Sequence, residues 1–174
     1  MWLNAAVPAP PEAMTGSREL TAKGMQAAYI VAHRMLRAYW FVRRPSTWGS
    51  LLAVWHDGEL LLVKNSYRRH WTLPGGYIQK GETPVQAACR ELGEEVGAHI
   101  PPELVRQTFT AVREFEFRKD KVTISEVTLD TRPELRIDQR EVVWAGFLSP
   151  AEILARPIVP HLRDYLACHP SGRA

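Results

Sequence analysis

Three glutamates, Glu91, Glu94 and Glu95, lie close together in LPGGYIQKGETPVQAACRELGEEVGA, the segment from Leu73 to Ala98. Local signals predict that they share one short helix. Thr83-Pro84-Val85-Gln86 is a capping box with proline at the first helical position, and Gly97 stands where a C-terminal glycine stop belongs. Acidic side chains are poorly placed at the carbonyl end of a helix, which already carries partial negative charge. Like charges three or four positions apart also repel, by about 0.2–0.5 kcal/mol per pair. The cluster is therefore either a solvated face or a seat for a cation.

With about 100° of turn per residue, Val85, Ala88, Leu92 and Val96 span an arc of about 80°, a core-facing stripe. The three glutamates span an adjoining arc of about 100°, with only small Ala87 among them and Arg90 at the flank. Oxygen ligands clustered in this way suit a hard cation such as Mg²⁺ or Mn²⁺, which also recruits substrate phosphates. Ahead of the helix, Pro74-Gly75-Gly76 lets backbone approach a ligand closely, and a bare carbonyl there can join a metal shell. Glu82, just before the N-cap, can turn back toward Arg90 or toward an outer metal position.

Gly76, then Glu82, then Arg90-Glu91-Leu92-Gly93-Glu94-Glu95-Val96-Gly97-Ala98 resembles the Nudix box at every charged and glycine position. Only Ala98 is a weak form of the final bulky apolar residue. At residue frequencies of roughly 5–10% each, seven fixed matches arise by chance on the order of 10⁻⁸ times per register. The resemblance extends to the preceding WTLPGG and the later REVVWAGFLSPAEI, covering roughly Trp48 to Leu166. It implies an α/β/α sandwich with a mixed sheet that hydrolyses a nucleoside diphosphate linked to another group, using Mg²⁺ or Mn²⁺. By position, Glu91, Glu94 and Glu95 would bind metal, with the Gly75 carbonyl as a further ligand. Arg90 would orient a glutamate and Glu82 would serve the outer shell. Glu94, Glu134 and Glu141 are the candidates for the catalytic base. A catalytically idle Nudix-fold module that only binds a nucleotide is the alternative, although this chain keeps all the box glutamates.

The remaining chain bounds this reading. A length of 174 residues suits one domain with a terminal extension, and 45% hydrophobic content can build a core. A net charge of +3 permits an anionic small molecule but does not argue for a stable nucleic-acid partner. Two cysteines, Cys89 and Cys168, make no disulfide framework, so a reducing, cytoplasmic setting is expected, with Cys89 as packing. No apolar run is long enough to span a membrane, and no signal peptide is visible.

Residues 1–17 read as a Pro/Ala-rich flexible tail, 18–45 as a helical extension closed by Pro45, and 46–170 as the Nudix-like domain. Asp57-Gly58 predicts a hairpin between two β-rich runs. Two further strands follow, with a charged turn expected at Arg118-Lys119-Asp120, then a strand at EVVWAGFLS and two short helices. Arg68, Arg69, His70 and Trp71 are candidates to hold phosphates or a base, a solvated basic turn being the plainer reading. Sequence marks of ADP-ribose or dinucleoside polyphosphate enzymes are absent at Arg113-Glu114-Phe115-Glu116. The leading helix shows an apolar stripe of Met25, Ala28, Ala32, Met35, Tyr39 and Val42, with Ile30, Val31, Trp40 and Phe41 off it. A helix apolar nearly all round needs two burying surfaces, which suggests a homodimer. Its Arg34, Arg37, Arg43 and Arg44 leave a membrane-surface role as the alternative, and His33 reads as a polar interruption of the helix.

Overall fold

The structure is a computed structural model that describes residues 16–137 and 139–169. Most of the 1–17 tail expected from sequence lies outside the described residues. Strands β1 (Ser46–His56) and β2 (Glu59–Asn65) form the expected hairpin. Asp57 and Gly58 both take positive φ, 49° and 75°, as a two-residue turn between twisted strands requires. Their side chains alternate but are apolar on both sides. Leu52, Val54, Leu61 and Val63 point one way, and Ala53, Trp55, Leu60 and Leu62 the other, all buried. Strands buried on both faces need a covering layer on each.

One layer is α2 (Pro84–Val96), whose Ala88, Leu92 and Val96 enter the first cluster. The other is α3 (Pro150–Leu154) with α4 (Pro160–Cys168), which bring Ile153, Leu162, Tyr165 and Leu166 to the second. Between them lies a mixed sheet completed by β3 (Gly75–Tyr77), β4 (Arg106–Phe115), β5 (Arg118–Thr128) and β6 (Val142–Leu148). Its order is β4-β5-β1-β2-β6, with β1 parallel to β5 and β3 paired antiparallel to β1 at Gly49–Leu51. The fold is the expected α/β/α sandwich, with a long helix α1 (Gly16–Arg43) before the sheet. No described helix is long and apolar enough to cross a membrane.

Two expectations are corrected. The β4–β5 turn is Glu116-Phe117, both at positive φ (50° and 66°), and not Arg118-Lys119-Asp120. Arg118 and Asp120 are instead buried on one face of β5, paired at 3.0 Å. Their two-residue spacing is strand spacing, so an internal ion pair takes the place of a solvated turn. The second correction concerns α1. Its whole expected stripe, Met25 to Val42, faces outward, and Ala22, His33 and Trp40 are buried in its place. The helix lies on an aromatic and polar rim: Tyr29 stacks on Tyr67 at 5.9 Å and His33 tilts against the same ring at 5.0 Å. A rim of that kind selects the aromatic and polar face of α1, and the apolar face remains open.

Beneath α4, Trp55 Nε1 donates to Tyr165 Oη at 2.9 Å, and Tyr165 Oη donates to buried Glu126 at 2.7 Å. Burial, with the Glu126 carboxylate, holds the Tyr165 hydroxyl well above its ordinary pKa. Tyr165→Phe strips donors or acceptors from two buried groups at once. It should lower unfolding free energy by about 1–3 kcal/mol in urea titration and leave the carboxylate site untouched. A loss under about 0.5 kcal/mol would show that the chain of bonds is not a stabilising unit.

Candidate active site

The capping box forms as expected: Gln86 N–H donates to Thr83 Oγ1 and Thr83 N–H to Gln86 Oε1. Gly97 closes the helix at φ 69°. These ends fix the rotation of α2, so its acidic arc meets the Gly75-Gly76 strand at the edge of β1. Gly75 N–H donates to Glu95 Oε2 at 2.9 Å, and Asn65 Nδ2 to Glu95 Oε1 at 3.4 Å. Burial pushes the Glu95 carboxyl up to about 8; the Gly75 bond opposes that rise, and the neighbouring Glu91 and Glu141 charges add to it. Glu91 is raised for the same first reason, burial, against the pull of Arg90.

Arg90 is the hub of this acidic group. Its Nε donates to Glu82 Oε1 at 2.7 Å, and Nη1 donates to Glu91 at 2.8 Å and Glu94 at 3.1 Å. Nη2 reaches the Tyr77 carbonyl and the second Glu82 oxygen. Glu82 also accepts from Gln79 N–H, and the Arg90 bond, then that bond, hold its carboxyl below the usual range.

A cavity of about 320 Å³ opens beside these groups. Glu91, Glu95 and Glu141 line it together with Gly75 and Gly76. Glu94 is not among the lining residues; its carboxylate is 60% exposed and turned to Arg90. Of the base candidates, Glu141 lines the cavity and accepts from Tyr67 Oη at 2.8 Å. Glu134 instead sits outside it, exposed and paired with Arg136 at 3.0 Å. Arg68 reaches the cavity wall, whereas Arg69 is exposed away from it. Trp71 does not line the cavity either: its ring packs edge-on to Trp144 at 4.9 Å and under Arg156, so apolar packing claims it. His70 lies against Phe115. Wall residues that went unread as site candidates in the sequence include Asn65, Tyr67, Arg118, Asp120 and His161. The strand spacing of Arg118 and Asp120 was a usable signal; nothing local marks Tyr67.

Among the described residues, no three His, Cys, Asp or Glu side chains converge as a ready-made metal cage. The donor set nonetheless fits Mg²⁺ or Mn²⁺, because such an ion takes one or two carboxylates and completes its shell with water and phosphate. Glu91 and Glu95 are carboxylates whose charge burial disfavours, and Gly76 has no side chain to crowd them: a Cβ there would stand 2.5 Å from Glu91 Oε1.

A profile for the NUDIX domain matches residues 43–167. The chain belongs to the Nudix family. Among curated Nudix relatives, it is 38% identical over 65 residues to an RNA pyrophosphohydrolase of Aeromonas hydrophila, 37% of this chain and 36% of that protein. The chain's matches span between 15% and 36% of the length of these curated relatives. Its fold is similar to a MutT protein from Methanosarcina mazei Go1 (TM-score 0.60, 19% identity, 72% of this chain and 93% of that one). It is also similar to a bifunctional NMN adenylyltransferase/ADP ribose pyrophosphatase from Francisella tularensis, complexed with AMP and a manganese ion (TM-score 0.62, 18% identity, 83% and 47%). The match begins at residue 43, so nearly all of α1 lies outside it.

The two loop glycines separate fold from site. A Cβ on Gly75, at φ 146°, would stand 2.2 Å from the Ser50 carbonyl oxygen, whereas one on Gly76 would meet only the movable Glu91 carboxylate. Gly75→Ala should therefore lose about 2 kcal/mol or more of stability through backbone strain and clash. Gly76→Ala should keep its melting temperature within a few degrees and lose activity by displacing Glu91. Equal effects of the two on melting temperature would contradict this division.

Proposed function

We propose that this chain is a divalent-metal-dependent hydrolase that cleaves the pyrophosphate link of a nucleoside diphosphate derivative. The observation that carries the reading is the buried Glu95, clasped by the Gly75 amide beside Glu91 and Glu141 at the end of a small cavity. Glu91 and Glu95, with the Gly75 carbonyl, would hold Mg²⁺ or Mn²⁺, and Glu94 would swing in from Arg90 when phosphate arrives. The ion would neutralise phosphate oxygens and make water acidic enough to attack at neutral pH. Glu141, oriented by Tyr67, is the best placed of the three base candidates to take the proton from attacking water. Arg90 fixes the direction of Glu91, and Glu82 fixes Arg90. Arg68 would meet the substrate phosphates. The substrate is a small nucleotide, in keeping with the cavity's size and the ligands of the Francisella protein; RNA is the class the Aeromonas relative's name raises. A cytoplasmic location accords with the two free cysteines.

Hydrolysis in ¹⁸O-labelled water, across nucleotide sugars, dinucleotides and nucleoside triphosphates, tests the bond that breaks. Label should enter a single product, at phosphorus, leaving two phosphate-ended fragments. Inorganic phosphate released from a nucleoside monophosphate would overturn the reading, as would label on sugar carbon. Glu95→Gln keeps volume and removes a penalised charge, so the fold should hold while turnover falls by orders of magnitude. Retention of more than about a tenth of wild-type turnover would leave barely 1.4 kcal/mol of barrier to the ligand.

The outward face of α1 supports a homodimer. Gly24, Ala28, Val31 and Met35 follow one another at helical spacing and are exposed, and a Cβ on Gly24 would meet nothing within 4 Å. Small residues at such spacing let a second copy of α1 pack closely. Light scattering at tens of micromolar should give twice the chain mass, and Val31→Glu should return it to the monomer. A monomeric wild type would defeat the dimer, and co-sedimentation with anionic liposomes would assign the face to a membrane surface instead.

A further inference from the structure

The cavity has a second charged end that the carboxylate chemistry does not use. Arg118 lines it with a side chain only 3% exposed. Its Nη2 donates to Asp120 Oδ2 at 3.0 Å, but among the described residues Nε and Nη1 have no hydrogen-bond acceptor, Nη1 having a 3.6 Å ion contact with Glu116. A buried guanidinium with two idle donors is costly unless an acceptor arrives. Arg68, on the same wall, also has a buried Nε without a partner.

What holds Arg118 in place comes from outside the matched domain. The guanidinium lies 4.0 Å from the centroid of Trp40, buried on α1. His33 of the same helix faces Glu116 at 3.4 Å, and Tyr29 stacks on Tyr67, which in turn bonds Glu141. Each of these three contacts thus touches a residue on the cavity wall or one beside it. The charges facing Arg118 are Glu116 and Asp120, with Arg68 and His33 around them. The two carboxylates orient the fork and leave its Nε side free.

We propose that α1 braces the wall of the substrate cavity from behind, and that Arg118, stacked on Trp40, binds a substrate phosphate beyond the pair at the carboxylate end. This rests on reading the cavity as a nucleotide site. A guanidinium whose Nε–H is free can donate a charge-assisted hydrogen bond to one phosphate oxygen. Substrates with an anionic group remote from the scissile link would gain affinity there, and Trp40 is a positioning residue for that group.

Inorganic pyrophosphate, titrated calorimetrically into the full chain in EDTA, tests this without the metal arm. Wild type should bind and gain melting temperature. Arg118→Gln should weaken binding about tenfold or more, the scale of a lost hydrogen bond to a charged group. Trp40→Leu should weaken it by a smaller factor, and Leu104→Ser, at an exposed position outside α1 and the cavity lining, should not change it. With Mg²⁺ and a hydrolysed nucleotide, Trp40→Leu should raise KM more than it lowers kcat. If Arg118→Gln does not fold, Arg118→Lys replaces it, keeping charge without the Nε–H donor and giving the same loss. No binding by wild type in EDTA, or equal affinity in the Arg118 variant, overturns the phosphate site. Unchanged affinity in Trp40→Leu overturns the role of α1. Binding in EDTA without hydrolysis in Mg²⁺ would sink the hydrolase reading and leave this site standing.

Discussion

The contact on which the site depends is between two backbones. β3 runs so close to β1 that Gly75 has no room for a side chain, with the Ser50 carbonyl where its Cβ would be. That closeness aims the Gly75 amide at Glu95 and leaves a bare edge facing α2. α2 in turn cannot rotate, because Ala88, Leu92 and Val96 are locked into the sheet and both helix ends are capped. A carboxylate whose ionised form is disfavoured by burial is then held against the sheet by core packing worth far more than its own penalty. Such a penalty is tolerable only where the surrounding structure leaves the group no alternative.

Arg90 shows how the same helix manages charge before a cation is involved. One guanidinium touches Glu82, Glu91 and Glu94, so much of the like-charge repulsion in the acidic arc is screened within the protein. Burial divides the three glutamates further. Glu95 is enclosed, Glu91 half-buried and Glu94 exposed, so three residues of one type stand in three different environments.

Features closed by local hydrogen bonds or backbone angles were legible in the sequence. The Thr83 capping box, the Gly97 stop and the Asp57-Gly58 turn each need only a few neighbouring residues. The packed layers were legible for a related reason, since alternation and helical spacing record burial directly. Choices made by distant surfaces were not legible. Arg118 and Asp120 look solvated in a row of charges, and only the sheet shows that they face a cavity. Trp71 looks like a base platform beside a glycine loop, but Trp144 from β6 claims its ring. Glu134 and Glu141 were equivalent on paper; a tyrosine far away in sequence distinguishes them by bonding one.

The leading helix joins these two kinds of information. Its apolar stripe is genuine periodicity, yet the domain offers it no apolar surface, because the sandwich has already covered both faces of its sheet. What the domain leaves unfilled is a rim of Tyr67, Glu116 and Arg118, groups that need aromatic and polar partners. α1 supplies Tyr29, His33 and Trp40 at helical spacing on a single face. The two faces therefore answer different needs, the inner one the cavity's charges and the outer one hydrophobic area still exposed to water. A partner on the outer face would brace the helix that braces Arg118, so assembly and substrate affinity would be coupled through one element without either surface touching the other.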